Sequence, residues 1–263
     1  MAEAISAPPA ETKPPSQVTN APWWAYSVFF MGIQTLFGIY VLLVVLFDFR
    51  NATADPYLSP FFSPLLPAAT IGALVISPGI YIVWSPLLFR ASCYYYRKAY
   101  HRAFFAPPAC AKPPPTMLQR VRYKGEESLP WVFNNLHRFF LYTAIVNVAF
   151  LLADFINAFV VHEGASKGHL MIGLGTLVLG VNVLMLSAYT FGCHAFRHLA
   201  GGSLDCYSCS WTARTRRSLW QKVTALNERH GLFALVSLFT VWGADVYVRL
   251  FVHGIIADPR IIF

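Results

Sequence analysis

The sequence predicts an all-α integral membrane protein, a bundle of five transmembrane helices. Of the 263 residues, 56% are hydrophobic and only 12% are charged, whereas about a quarter of the residues in a typical soluble domain are charged. The hydrophobic residues are gathered into long blocks, and a block of roughly 20 apolar residues spans the hydrocarbon core of a bilayer. No large soluble domain remains once these blocks are set aside.

Five blocks are long enough to form transmembrane helices. They cover residues 24–47, 67–89, 137–161, 170–193 and 230–252. We predict a helix for each block, because a single segment in lipid must satisfy its own backbone hydrogen bonds. The second block contains Pro78 and Pro86, and prolines within a helix predict kinks at these positions.

The remaining parts of the chain are connections and a tail. Residues 1–22 contain two proline pairs and are predicted to be a disordered cytoplasmic tail. This tail lacks the charged, apolar and cleavage-site pattern of a signal peptide. Residues 23–263 are predicted to form the five-helix membrane domain.

Lysine and arginine are concentrated in two of the connections. Residues 90–136 contain eight of them and residues 197–229 contain six, whereas the connections on the other side contain one each, Arg50 and Lys167. Since positively charged connections stay in the cytoplasm, both basic connections are predicted to be cytoplasmic, with the N-terminus inside and the C-terminus outside. The net charge of +8 then reflects topology, and we expect no nucleic-acid partner.

The cysteines share one side of the predicted bundle. All five fall on the cytoplasmic side or at its membrane edge, namely Cys93, Cys110, Cys193, Cys206 and Cys209. Because the cytoplasm keeps thiols reduced, a structural disulfide is not expected there. Cys206 and Cys209 have the spacing of zinc ligands, but one such pair alone is weak evidence for a metal site.

Four histidines are placed near these cysteines. His194 and His198 are four residues apart and project from one helix face, while His137 and His230 lie near the starts of the third and fifth helices. Four imidazoles at one depth beside cysteines predict a metal or cofactor site. Thiolate and imidazole together suit zinc, or an iron–sulfur centre in which two histidines replace two cysteines on one iron. Haem held by two histidines is the third candidate.

Four strings of residues resemble a known family. In order along the chain, "CYYYRKAYHRAFFAPPAC", "NNLHRFF", "CHAFRH" and "LNERHG" resemble the cytochrome b-like membrane anchor of the succinate dehydrogenases of mycobacteria and related bacteria. The likeness covers about residues 24–263. It implies a five-helix anchor that holds a flavoprotein subunit and an iron–sulfur subunit at its cytoplasmic face.

The resemblance also implies a cofactor. That family is associated with a Rieske-type 2Fe-2S cluster embedded at the membrane, where most anchors of respiratory complex II carry haem b, which remains the alternative. Carried over residue by residue, the likeness points to Cys93 and Cys110 as thiolate ligands, with Cys193 in reserve. The two imidazole ligands are to be drawn from His137, His194, His198 and His230.

A quinone site is expected close to such a cluster. Replacing thiolates by neutral imidazoles raises the reduction potential of the cluster, which suits the last step before a quinone. The pocket needs aromatic walls and a few donors for the quinone carbonyls. We expect these from five residues near the cluster: Tyr95, Tyr96, Trp131, Asn135 and Arg138.

Two acidic residues lie within the predicted helices, towards the outer face. Asp245 and Arg249 are four residues apart in the fifth helix and are spaced to pair with each other, whereas Asp154 in the third helix has no such neighbour. Intramembrane acids are functional candidates by default. A proton path and structural pairing are the two interpretations.

The sequence therefore predicts the membrane anchor subunit of a succinate:quinone oxidoreductase in the bacterial cytoplasmic membrane. Its expected partners are the flavoprotein and iron–sulfur subunits, membrane lipids and a quinone, and succinate oxidation itself belongs to another chain. The alternative from a different class is a polytopic membrane protein without a redox cofactor. Such a transporter or assembly factor would use its cysteines, if at all, to bind zinc structurally.

Overall fold

The structure is a computed structural model that describes residues 22, 24–71, 74–97, 132–162, 167–202 and 204–263. Within these residues the chain is mostly helical, which agrees with the predicted fold class. The helices are α1 (Ala25–Phe47), α2 (Gly79–Ser92), α3 (Val132–Asn157), α4 (Leu174–Phe191), α5 (His194–Gly201), α6 (Trp211–Glu228) and α7 (His230–Val252).

Short antiparallel strands join some of these helices. Three two-stranded ribbons pair β1 (Thr53–Ala54) with β2 (Tyr57–Leu58), β3 (Ala69–Ile71) with β4 (Leu74–Ile76), and β5 (Met171–Gly173) with β6 (Arg260–Ile262). In the last ribbon Met171 pairs with Ile262 and Gly173 with Arg260. The C-terminal strand is thereby tied to the segment that enters α4.

Four helices of the described chain are long and apolar enough to cross a membrane. They are α1, residues Asn135–Asn157 of α3, α4 and α7. The second predicted block differs from the prediction, because α2 begins only at Gly79 and contains 14 residues. At 1.5 Å per residue it is about 21 Å long, shorter than the roughly 30 Å hydrocarbon core.

Pro78 explains where α2 begins. Residues predicted to be its first half instead form the β3–β4 ribbon, and Pro78 is the residue that precedes the helix. Proline has no backbone N–H to donate and disfavours helical geometry in the residue before it. The predicted kink at Pro78 is therefore a helix start, while Pro86 lies inside α2 as predicted.

The two ends of the helix bundle differ in the residues that they bring together. At one end, which we call the cysteine end, α2 and α4 finish and α3 and α7 begin. α2 packs along α3, and α4 packs against both α3 and α7. This arrangement brings together four chain segments that are far apart in the sequence, and it positions the candidate site.

The other end, which we call the far end, holds a buried polar network. Asp245 is fully buried and accepts hydrogen bonds from Tyr40 Oη at 2.5 Å and from Ser59 Oγ. Arg249 Nε donates to Asp245 at 2.8 Å, and Arg249 also pairs with Asp48. The predicted pairing of Asp245 with Arg249 is confirmed, whereas a proton path through Asp154 stays a prediction.

A second group of hydrogen bonds closes the far end. The Asp258 carboxylate accepts from Tyr57 Oη and Tyr247 Oη, each at 2.6 Å, and from Gly175 N at 3.0 Å. A methyl group on Gly175 would lie 2.5 Å from the Tyr57 ring, so only glycine allows this approach. The carboxylate thus ties the chain after α7 to the start of α4 and to the β1–β2 ribbon.

Candidate metal centre

Two buried cysteines occupy equivalent positions at the cysteine end. Cys93 follows α2 and Cys193 follows α4, and both are almost fully buried. Their backbones are extended, with φ and ψ of −62° and 135° at Cys93 and of −64° and 143° at Cys193. Helical geometry resumes at the next residue in both places. Each sulfur therefore lies at the first turn of a new helical segment.

This position surrounds the sulfurs with backbone N–H groups. Cys193 Sγ accepts from Ala195 N at 3.4 Å, and the N–H groups of Tyr95 and Tyr96 act on Cys93 in the same way. Such donors stabilise a thiolate. Burial nevertheless dominates: it raises the pKa of the Cys93 thiol and raises that of the Cys193 thiol to about 12. A metal ion would displace both protons on binding.

His137 faces the second of these cysteines. Its Nε2 atom lies 3.1 Å from Cys193 Sγ. The imidazole stacks on the Phe89 ring, with centroids 4.6 Å apart and planes 6° apart. Phe89 lies in the last turn of α2, four residues before Cys93. The histidine that stacks on the aromatic residue before Cys93 thus contacts the other cysteine, Cys193.

His230 completes the reciprocal arrangement. Its Nε2 atom lies 3.8 Å from Cys93 Sγ, and its ring stacks on Tyr189 with centroids 5.0 Å apart and planes 8° apart. Tyr189 precedes Cys193 by four residues, as Phe89 precedes Cys93. Two equivalent halves, each an aromatic residue, a cysteine and a histidine, therefore meet crosswise at one end of the bundle.

Ser92 contacts the Nδ1 nitrogen of His137. Its hydroxyl lies 2.8 Å from His137 Nδ1 and donates to the carbonyl of Leu88 at 2.7 Å. While its proton is engaged with Leu88, the hydroxyl accepts from Nδ1, and the His137 proton is then on Nδ1. Nε2 is then left with a free lone pair that is directed towards Cys193. That is the orientation a metal ligand requires.

A cavity of about 470 Å³ opens beside these four side chains. Its lining includes Cys93, Cys193, His137 and His230, together with three of the five residues predicted to contact a quinone. Those three are Tyr95, Asn135 and Arg138. Cys193, which the resemblance left in reserve, is therefore part of the site. The aromatic residue four positions before each cysteine is the sequence signal that would have singled it out.

The side chains of the other predicted site residues do not contact the two cysteine sulfurs in the described structure. His194 lines the same cavity but is exposed, and His198, one turn further along α5, is exposed as well. Tyr96 is buried behind the cavity, where it donates to the Ala234 carbonyl at 2.5 Å. Cys110 and Trp131 lie outside the described residues.

Cys206 and Cys209 are joined by a disulfide, which differs from the expectation that all cysteines stay reduced. They lie in the turn between α5 and α6, where their Cα atoms are 5.8 Å apart. That separation is within the range that a disulfide bridges. Because neither residue lines the cavity, this pair is separate from the candidate metal centre.

The donor set can be compared with the cofactors that the sequence suggested. A structural zinc ion needs four ligands around one point, and in the described part of the chain no three histidine, cysteine or acidic side chains are grouped in that way. The structure shows two histidine–cysteine pairs instead. A Rieske-type 2Fe-2S cluster uses two histidines on one iron and two cysteines on the other. The four side chains supply these donor types, although each contact in the structure joins one histidine to one cysteine.

A polytopic membrane subunit with a buried cysteine–histidine site beside a cavity is the class that this fold and site define. Residues 25–254 match the family model described as actinobacterial succinate dehydrogenase subunit SdhC, and the chain belongs to this family. It is accordingly a multi-pass membrane subunit of a succinate dehydrogenase complex of the bacterial cytoplasmic membrane. The family expected from the four sequence strings is confirmed.

One solved structure extends this result to the fold. A chain of the Mycobacterium smegmatis Sdh1 complex in the apo form is 30% identical, with a TM-score of 0.76, and the match covers 95% of this chain and 96% of that one. No curated protein sequence matches this chain.

Proposed function

We propose that this subunit passes electrons from an iron–sulfur partner subunit, through an embedded 2Fe-2S cluster, to a quinone. The observation that carries the proposal is that two histidines each face a cysteine beside a cavity at one end of the bundle. The Nε2–Sγ distance is 3.1 Å between His137 and Cys193 and 3.8 Å between His230 and Cys93. In this proposal the protein ligands are Cys93, Cys193, His137 and His230.

Burial favours three of these residues, and partial burial the fourth, His137, over the other histidine candidates. Cys93, Cys193 and His230 are each at most 2% exposed, whereas His194 and His198 are exposed. A ligand set drawn from rigid, buried helix ends is held in place by its surroundings. Two neutral imidazoles in place of thiolates give a two-iron cluster a raised potential, which is suited to one-electron transfer towards a quinone.

The surrounding side chains hold the ligands in position. The Ser92 hydroxyl contacts Nδ1 of His137, and the stacked rings of Phe89 and Tyr189 fix the planes of the two imidazoles. Backbone N–H groups next to each sulfur favour the deprotonated form that binds iron. These contacts orient the ligands before any metal arrives.

The cavity is the proposed site of the quinone head group. Tyr95, Asn135 and Arg138 line it and provide an aromatic wall and N–H donors for the carbonyl oxygens, as a quinone pocket requires. Tyr96 and Trp131 remain predictions from the sequence. The flavoprotein and iron–sulfur subunits would dock at the cysteine end, where succinate-derived electrons enter.

The first prediction separates electron transfer to quinone from succinate oxidation. In the purified complex, Cys93→Ser and Cys193→Ser should abolish succinate:quinone reductase activity, because a neutral hydroxyl is a poor iron ligand beside a thiolate. Succinate oxidation with a soluble dye should survive in both variants, since it takes place on another subunit.

Two cysteine controls test the ligand set. Changing Cys206 and Cys209 together to serine should leave both activities intact. Cys110→Ser should also retain quinone reduction if Cys193 is the second thiolate. Loss of quinone reduction in Cys110→Ser, with full activity in Cys193→Ser, would instead support the pair that the family resemblance indicated.

We further propose that the cysteine end faces the cytoplasm. The eight and six basic residues in residues 90–136 and 197–229 support this orientation through the positive-inside rule. The second prediction follows directly. A topology reporter fused after Phe263 should be active outside the cytoplasmic membrane, and one inserted between Lys112 and Gln119 should report the cytoplasm. The reverse pattern would contradict the orientation.

A further inference from the structure

A buried arginine lies behind the candidate metal centre. Arg90 is only 5% exposed. Its Nη1 donates to Tyr96 Oη at 3.0 Å and to the Ala234 carbonyl at 3.1 Å, and its Nη2 donates to Ser237 Oγ at 3.0 Å. All of these acceptors are neutral. Both ion pairs within the described residues belong to Arg249, so Arg90 is a buried cation without a carboxylate partner there.

Such a cation calls for an explanation. Hydrogen bonds to neutral groups offset only part of the cost of removing a guanidinium from water, and buried arginines are rare unless they are paired with a negative charge. The position of Arg90 shows where that charge would lie. Its guanidinium carbon is 4.8 Å from the centre of the Tyr189 ring, and the same ring stacks on His230.

The two halves of the site differ at this position. Arg90 follows Phe89, and the equivalent residue after Tyr189 is Thr190, which is neutral. The cation is thus present in only one half. Arg90 does not line the cavity beside the four ligands; it lines a separate cavity together with Phe89 and Tyr189.

We propose that Arg90 is the counter-charge of the metal centre and favours the state that carries one additional electron. This inference rests on the proposed 2Fe-2S function. Two ferric ions, two sulfide ions and two thiolates would sum to zero charge. A cluster held here would therefore become negative on taking up one electron from the iron–sulfur partner subunit, and would return to zero charge when that electron passed to the quinone. No bond or proton at Arg90 changes, so Arg90 acts as a positioning charge and is not a catalytic residue.

The expected size of the effect follows from Coulomb's law. The contacts with Tyr189 place the guanidinium no more than about 10 Å from the His230 ring. At an effective dielectric constant of about 20, a unit charge at that distance changes an equilibrium by about tenfold. For a one-electron couple this corresponds to about 59 mV. Since the charge is buried, added salt should screen it little.

Replacing Arg90 by a neutral residue leaves its partners with hydrogen bonds. Tyr96 Oη still donates to Ala234 O, and Ser237 Oγ still donates to the same carbonyl at 3.2 Å. Arg90→Met therefore removes the charge and keeps the apolar bulk, Arg90→Gln removes the charge and keeps a polar end, and Arg90→Lys keeps the charge. Arg217→Met is the matched control, because it removes an exposed arginine.

The test is a redox titration of the purified complex, followed by the electron paramagnetic resonance signal of the reduced two-iron centre. Arg90→Met and Arg90→Gln should lower its midpoint potential, with the reduction equilibrium about tenfold less favourable at both low and high salt. Arg90→Lys should stay close to the wild-type potential, and Arg217→Met should match it.

Two results would overturn the inference while leaving the proposed function in place. The first is a wild-type midpoint potential in the neutral Arg90 variants. The second is loss of the signal from both neutral variants, which would make the role of Arg90 structural. Absence of a two-iron signal from the wild-type complex is a different result, because it would overturn the proposed function and the inference together.

Discussion

The buried polar groups at the two ends of the bundle have different partners. At the far end, Arg249 forms ion pairs with both Asp245 and Asp48, and Asp258 accepts three hydrogen bonds from its own chain. At the cysteine end, the two histidine rings face the two cysteine sulfurs, and all four side chains line a cavity.

The cysteine end leaves some of these groups unsatisfied by the described chain. His230 Nδ1 is buried without a hydrogen-bond partner there, and Arg90 is buried without an anion. The far end is not fully satisfied either, because Arg249 Nη2 is also buried without a partner in the described chain. The difference lies in charge, since Arg249 has two carboxylates beside it and Arg90 has none among the described residues. The comparison therefore predicts that the acids of the far end stabilise the fold and that the sulfurs and imidazoles of the cysteine end form the proposed metal centre.

The largest expected effect is a loss of thermal stability when one charged group of the far end is removed. Asp245→Ala leaves the buried Arg249 with Asp48 alone, and breaking a buried ion pair costs about 3–5 kcal/mol. Thermal unfolding of the detergent-solubilised complex should shift to lower temperature by a corresponding amount. The midpoint potential of the metal centre in the folded complex should be unchanged, since the change is at the opposite end.

The exposed residue Asp205 provides the control for that variant. Asp205→Ala should leave thermal stability unaltered. Equal stability of Asp245→Ala and the wild type would show that the far-end network is not structural, and a proton-path role for its acids would then have to be considered again.

A smaller effect, on iron binding, is expected from replacing Ser92, whose contact with the proposed ligands is through His137. Ser92→Ala removes the hydroxyl beside His137 Nδ1, and loss of such an outer-shell bond typically weakens metal binding by about 10–100-fold. The measurement is the iron retained in the membrane subunit during incubation with a chelator. Ser92→Thr keeps the hydroxyl and should retain iron as the wild type does. Equal retention by the alanine variant would remove Ser92 from the site.

Much of the fold could be predicted because apolar blocks and lipid thickness determine it. The first and fifth blocks end where α1 and α7 end, at Phe47 and Val252. The second block was wrong in its first half, since hydropathy does not distinguish an apolar ribbon from an apolar helix. Pro78 was the signal that could have corrected it, because it favours a helix start over a kink.

The site could be predicted only by residue type and depth. Reduced cysteines and histidines at one end predicted a metal centre, and His137 and His230 do face cysteine sulfurs. Hydropathy could not show that α4 is interrupted at Gly192 and that Cys193 is thereby turned into the site. The pairing across the two halves is a tertiary property, as is the burial of Arg90 against Tyr189. No local spacing encodes either of them.

Everything proposed for the cysteine end depends on two histidines and two cysteines of this subunit holding a two-iron cluster. Pulsed electron paramagnetic resonance detects such ligands directly, in reduced complex grown once with natural histidine and once with ¹⁵N-labelled histidine. We expect two strongly coupled nitrogens that change with the label and that are lost when His137 or His230 is replaced. Stoichiometric haem without such a signal, or a two-iron signal with no histidine nitrogen coupling, would contradict this ligand set.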